Sequence, residues 1–180
     1  MKNAFLSRLA VPIFGVILFV AFPSNVRAQS LNEESLKASY ILKFIDFVRW
    51  ERPTSNPTKV GVVHDPSLFR ELQAIAAKKS RATRSFEIVE IDTSSDKIGK
   101  LSGLDLVYIG RNQQPQWAGI VKFARQESII TVSSEPGFLE EGGLIEFITL
   151  QNRIRFSLNL VEVDLYNLGV SSKLAQLSVK

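Results

Sequence analysis

The chain has 180 residues, with 22 Lys and Arg against 18 Asp and Glu, and it contains no cysteine. The missing cysteines exclude thiol catalysis, thiolate metal sites and disulfide stapling, so stability has to come from packing. Lys2, Arg8 and Arg27 lie in the first 28 positions, which carry no acidic residue; the remainder holds 19 basic against 18 acidic side chains, a balance that gives no ground for a nucleic-acid partner.

Those first residues read as a secretory signal peptide. Two basic residues precede an apolar run from Leu9 to Phe22, and Val26-Arg27-Ala28 offers a cleavage site before Gln29. The run stops at Pro23, short of the roughly 20 apolar residues that span a bilayer. Residues 1–28 are therefore expected to be removed and residues 29–180 to form one exported domain, long enough to bury about 68–70% of its unfolded surface.

In chain order, Ser30 or Asn32 is placed to cap a helix starting near Glu33. Leu36, Tyr40, Ile41, Phe44, Phe47 and Val48 recur on it at three- and four-residue spacing, and Trp50 stands at its exit ahead of Pro53. Residues 59–63 predict a strand, and Asp65-Pro66 caps and opens a helix over 66–79 with Leu68, Leu72, Ile75 and Ala76 inward. Residues 85–91 predict a strand followed by a polar loop over 92–97, residues 104–109 a strand covered on both faces, and 115–126 a helix; 129–132 is another buried run.

The stretch 142–159, GGLIEFITLQNRIRFSLN, predicts two strands joined at Gln151-Asn152. On the second arm Ile154, Phe156 and Leu158 alternate with Arg153, Arg155, Ser157 and Asn159, a polar face. Helical pieces follow, with the serines of Ser171-Ser172-Lys173 placed to supply an N-cap between them. This alternation predicts a single-domain α/β fold, a largely parallel sheet flanked by helices with a C-terminal antiparallel hairpin.

Chemistry is sparse. His64 is the only histidine, and its neighbour Asp65 is committed to capping. No phosphate-binding glycine loop, nucleophile elbow or metal-ligand spacing occurs, so neither a cofactor nor a metal is expected. The default ligand position in such a sheet is the crevice at the carboxyl ends of the strands, where His64, Asp65, Gly110, Arg111 and Ser133 to Pro136 should gather. A non-enzymatic binding protein is the expectation.

Both ends of the chain resemble the YfiR-like family of periplasmic regulators. The N-terminal pattern is Lys37-Ala38-Ser39-Tyr40, Phe44, Phe47-Val48, Trp50 and Pro53. The C-terminal one is Pro136-Gly137-Phe138, Gly142-Gly143, Ile145, Phe147, Arg155-Phe156, Asn159-Leu160 and Leu168-Gly169-Val170-Ser171-Ser172-Lys173-Leu174. The resemblance implies a periplasmic repressor that binds the extracytoplasmic domain of a membrane-anchored signalling protein, a diguanylate cyclase or a sensor kinase, and so lowers cyclic di-GMP and biofilm output. The namesake type carries disulfides, so redox control of release does not transfer to this cysteine-free chain.

The candidate partner- or ligand-binding residues are Trp50 and Arg52 at the helix exit, Phe138 beside the glycines, Asn152 and Arg155 on the hairpin, and Lys173. Arg155 with Asn152 suits an anionic ligand or an acidic partner side chain, against the alternative of a charged, solvated edge strand. Phe138 is open between a core plug and an exposed anchor, and the aromatic stripe of the first helix between a monomer's core and a homodimer.

Overall fold

The computed structural model describes residues 25–79, 84–91, 98–111 and 114–179. The signal-peptide residues up to 24 and the polar loop over 92–97 lie outside them. The elements are α1 (Asn25–Phe47), β1 (Val48–Trp50), β2 (Thr58–Val63), α2 (Pro66–Lys79), β3 (Phe86–Ile91), a 3-10 turn (Ile98–Leu101), β4 (Leu106–Ile109), α3 (Gln114–Gln126), β5 (Ile130–Ser133), β6 (Ile145–Leu150), β7 (Arg153–Leu158), α4 (Leu160–Leu165), β8 (Leu168–Val170) and α5 (Ser172–Leu177).

Six strands form one sheet in the order β3-β2-β4-β5-β6-β7, parallel from β3 to β6 and antiparallel at the β6–β7 hairpin. The α/β class with its terminal hairpin is thus as the alternation predicts. β2 leads to β3 on one side and the chain then returns to place β4 on the other. Right-handed crossovers running in opposite directions put α2 and α3 on opposite faces. Burial on both faces explains the unbroken apolar runs of β4 and β5.

Local chemistry accounts for most element ends. Asp65 Oδ1 accepts from Leu68 N at 2.9 Å and starts α2. Ser171 Oγ accepts from Leu174 N at 3.3 Å and starts α5. Gln151 and Asn152 have φ of 48° and 59°, the paired positive values of a two-residue type I′ turn, which matches the twist of the flanking strands.

The first helix departs from expectation at both ends. It begins at Asn25, so Ser30 and Asn32 lie within it and neither is its cap, and it stops at Phe47. Val48, Arg49 and Trp50 pair antiparallel with Val170, Gly169 and Leu168 in a separate two-stranded ribbon, closed by Ser171 N donating to Phe47 O. Here a β-branched and aromatic run finds a backbone partner about 120 residues away, which outweighs its weak helical preference.

The aromatic stripe of α1 lies on the hairpin. Phe44 meets Phe156 edge-on at 5.0 Å between centroids and Phe147 at 5.8 Å, with Tyr40 about 6 Å from each of the same two rings. Farther into the sheet, at the carboxyl ends of β2 and β4, Gly110 N donates to Val63 O at 2.8 Å, and a Cβ on Gly110 would stand 2.7 Å from the carbonyl oxygens of both Val63 and His64. Only glycine lets the ends of β2 and β4 approach so closely.

Candidate functional site

Two clefts flank the middle of α1. The first, of about 530 Å3, lies between that helix and the hairpin and is lined by Leu36 and Tyr40 on one wall and Thr149, Asn152, Arg153 and Arg155 on the other, with Glu33 at one end. The structure thus joins two predicted residues, Asn152 and Arg155, and adds Tyr40, Glu33 and Arg153. Arg153 and Arg155 share a face because strand side chains alternate with period two. The same face narrows beyond them: Asn159 instead caps α4, accepting from Glu162 N at 3.3 Å and donating to Leu139 O at 3.0 Å, and Ser157 bridges Val179.

The remaining candidates stand elsewhere. Trp50 is half-buried in β1, outside the hairpin cleft, and its Nε1 is buried with no acceptor among the described residues. Arg52 is a clamp: it donates to the carbonyls of Leu104 (2.8 Å) and Glu127 (2.9 Å) and pairs with Asp105 at 3.1 Å. Phe138 is fully buried, edge-on to Trp117 at 5.7 Å and pressed against Gly143. Of the two open alternatives for its side chain, the structure takes the core plug. Lys173 holds its ammonium 5.8 Å over the Phe47 ring and lines a smaller apolar groove with Phe44, Phe156 and Leu177.

The second cleft, of about 430 Å3, is the crevice at the carboxyl ends of β2 and β4. His64, Asp65, Tyr108 and Arg111 come from the strand ends, and Glu33, Glu34 and Lys37 cover them from α1. Of residues 133–136, Ser134 reaches it through its 3.0 Å hydrogen bond with the Tyr108 hydroxyl. Lys37 is 3% exposed and bonds Glu33 at 2.7 Å and Glu34 at 3.4 Å. Burial pushes the Glu34 carboxyl above its ordinary value; Lys37 opposes this and Asp65 adds to it. Burial also raises the Tyr108 hydroxyl, which feels Asp65 and Glu34 in the same direction and Arg111 in the other. Charges of both signs therefore converge on one small region.

The α1 residues of this crevice were not legible as site residues. Glu33, Glu34 and Lys37 have i, i+3 and i, i+4 spacing, the ordinary signature of a solvated helix face, and only α1 packing beside α2 brings them over the strand ends. Among the described residues no group of three His, Cys, Asp or Glu is placed to hold a metal ion, and no helix is long and apolar enough to cross a membrane.

Fold and clefts together define a doubly wound α/β domain with ligand-sized surface sites at its switch point and at its hairpin. The chain belongs to the YfiR/HmsC-like family (DUF4154), whose profile matches residues 34–179. No curated protein sequence matches it significantly. Among solved structures it is similar to a conserved domain protein from Vibrio cholerae O1 biovar El Tor, with a TM-score of 0.58 and 13% identity over 81% of this chain. It is also similar to the ABC domain in complex with L-Trp from Streptococcus pneumonia, with a TM-score of 0.57 and 10% identity over 78% of this chain. The match spans 59% of each of those chains, and at such identities the likeness is one of fold alone.

Proposed function

We propose that this protein is an exported, non-enzymatic regulator that docks on the extracytoplasmic domain of a membrane-anchored signalling protein. The expected partner is a diguanylate cyclase, which it holds in check and so lowers cyclic di-GMP and biofilm output. The observation that carries this reading is membership of the YfiR/HmsC-like family over residues 34–179. The 33 residues ahead of the matched region include the basic and apolar segments of an export signal, which supports a periplasmic location. The exposed guanidinium side chains of Arg153 and Arg155 give the docking surface donors for acidic partner groups. Crosslinking the tagged protein in its own bacterial envelope, followed by mass spectrometry, should recover a membrane cyclase or kinase through its periplasmic domain. Recovery of none, under conditions that preserve a known envelope complex, would sink the proposal.

A second reading has its own observation. The hairpin cleft is large enough for a small molecule and is lined by two arginines, Asn152 and the Tyr40 ring, a set suited to an anionic ligand. A small anion held there would raise the melting temperature, and Arg155→Ala would abolish the rise. Such a ligand would govern partner release only through unequal affinity for the free and docked states.

A further inference from the structure

Among the described residues six large hydrophobic side chains are exposed, and three of them, Leu160, Val161 and Leu165, belong to the six-residue helix α4. At about 100° per residue, Leu160, Asp164, Val161 and Leu165 follow one another around a single face, while Glu162, Val163 and the C-cap Tyr166 take the other. That inner face is fixed. Asn159 caps the helix, Val163 is buried, the Tyr166 hydroxyl donates to Gly142 O at 3.0 Å, and Glu162 pairs with Arg125. Turning the helix to bury its outer face would break all of these contacts. The outer face is therefore a contiguous apolar strip held toward solvent, with Val161 79% exposed, and contiguous apolar surface of this kind marks an interaction site.

The charges around the strip are acidic. Asp164 stands within it and is exposed. Residues 139–142 lie against the start of the helix, where Leu139 O accepts from Asn159 Nδ2 at 3.0 Å, and they carry the exposed Glu140 and Glu141. Arg125, the base in contact with α4, is taken up by Glu162. These acids disfavour two occupants. A second copy laid on the strip across a twofold axis would set Asp164, Glu140 and Glu141 against their own counterparts. An anionic lipid surface would repel them. A short apolar strip flanked by carboxylates instead matches the apolar stripe of a helix whose bordering residues are Lys or Arg.

We propose that the outer face of α4 docks a basic amphipathic helix of a protein partner. Leu160, Val161 and Leu165 meet its apolar stripe, and Asp164, Glu140 and Glu141 meet its Lys and Arg side chains. This deepens the regulator reading and rests on it in requiring a protein partner. None of these side chains lines the hairpin cleft or the switch-point crevice, so α4 is a separate contact.

The test puts a benzoylphenylalanine photo-crosslinker in place of Val161 in the tagged full-length protein, irradiates the intact bacterial envelope and sequences the crosslinked peptide by mass spectrometry. A parallel strain carries the crosslinker in place of Arg155 on the hairpin. From position 161 the expected product is a peptide of another protein, rich in Lys and Arg, with apolar residues at three- and four-residue spacing. Leu160→Ser with Leu165→Ser, and separately Asp164→Lys with Glu141→Lys, should each cut its yield roughly tenfold. Both pairs occupy exposed positions, so the urea midpoint should not move. Added salt should lower the yield as well. The proposal is overturned if position 161 yields no crosslink, yields only lipid or a second copy, yields a peptide without an excess of basic residues, or gives a yield that neither pair of substitutions changes. A signalling protein crosslinked from position 155 and none from 161 would discard the α4 contact alone. No protein crosslinked from either position would discard the regulator reading with it.

Discussion

Arg52 and Asp105 form an ion pair, Nη1 to Oδ1 at 3.1 Å, in which the carboxylate is fully buried and the guanidinium side chain is 28% exposed. Asp105 also accepts from Ser55 N at 3.2 Å and Lys59 N at 2.9 Å, so one carboxylate ties the segment after β1 to the start of β2 and the approach to β4. Burying a charge is tolerable only with this density of partners. Removing the arginine would leave the carboxylate two backbone donors and, among the described residues, no ion-pair partner.

Arg52→Ala should accordingly cost about 3 kcal/mol in urea unfolding, less than a fully desolvated pair because the guanidinium is partly wet. Any loss of partner capture in this variant should disappear once the assay is run where the variant is fully folded. A variant as stable as wild type that nonetheless fails to bind would make Arg52 a contact residue instead.

The hairpin arginines should behave in the opposite way. Arg153 and Arg155 are exposed, so Arg153→Ala and Arg155→Ala should change stability by no more than about 0.5 kcal/mol. Partner or anion binding in the double variant should fall, with a salt dependence weaker than that of wild type. Binding and salt response both unaltered would remove the hairpin from the functional surface.

Phe44, with Tyr40 beside it, joins α1 to the hairpin, and Phe44→Ala should cost about 3–5 kcal/mol in chemical denaturation. A cost below about 1 kcal/mol would show that this aromatic cluster does not hold the helix down.

Gly110→Ala should destabilise by about 2–3 kcal/mol, because the added methyl would meet backbone carbonyls, which no rotamer change can move aside. The same substitution should loosen the crevice, seen as faster amide exchange at His64 and Asp65. An alanine variant of wild-type stability would mean that β2 and β4 part more easily than their geometry implies.

Glu34 predicts a pH dependence. Its folded-state pKa is raised above the ordinary 4.5, so the folded protein holds this proton more tightly than the unfolded chain does. That contribution to stability is complete below the ordinary value and fades as pH rises through the raised one. Relative to Glu34→Gln, wild type should therefore gain stability as pH falls from neutral toward 4.5. Parallel urea midpoints for the two proteins across that window would show that Glu34 is solvated as freely in the folded protein as in the unfolded chain.

Features governed by short-range chemistry could be read from the residues in order. The span of α2 with its Asp65 cap, the Ser171 cap and the hairpin around Gln151-Asn152 each depend on residues within a few positions of one another, and all three stand as read. The mostly parallel α/β sheet followed from their alternation, and the YfiR/HmsC-like family from motifs at the two ends. Packing between distant segments set the rest. Val48 to Trp50 became a strand because Leu168 to Val170 lies alongside; Phe138 went inward because Trp117 and Gly143 close over it; and Glu34 and Lys37 left an ordinary helix face to cover a crevice built by strands far along the chain. In each case the deciding partner is distant in sequence, where periodicity and capping carry no information and packing alone sets which side chains meet.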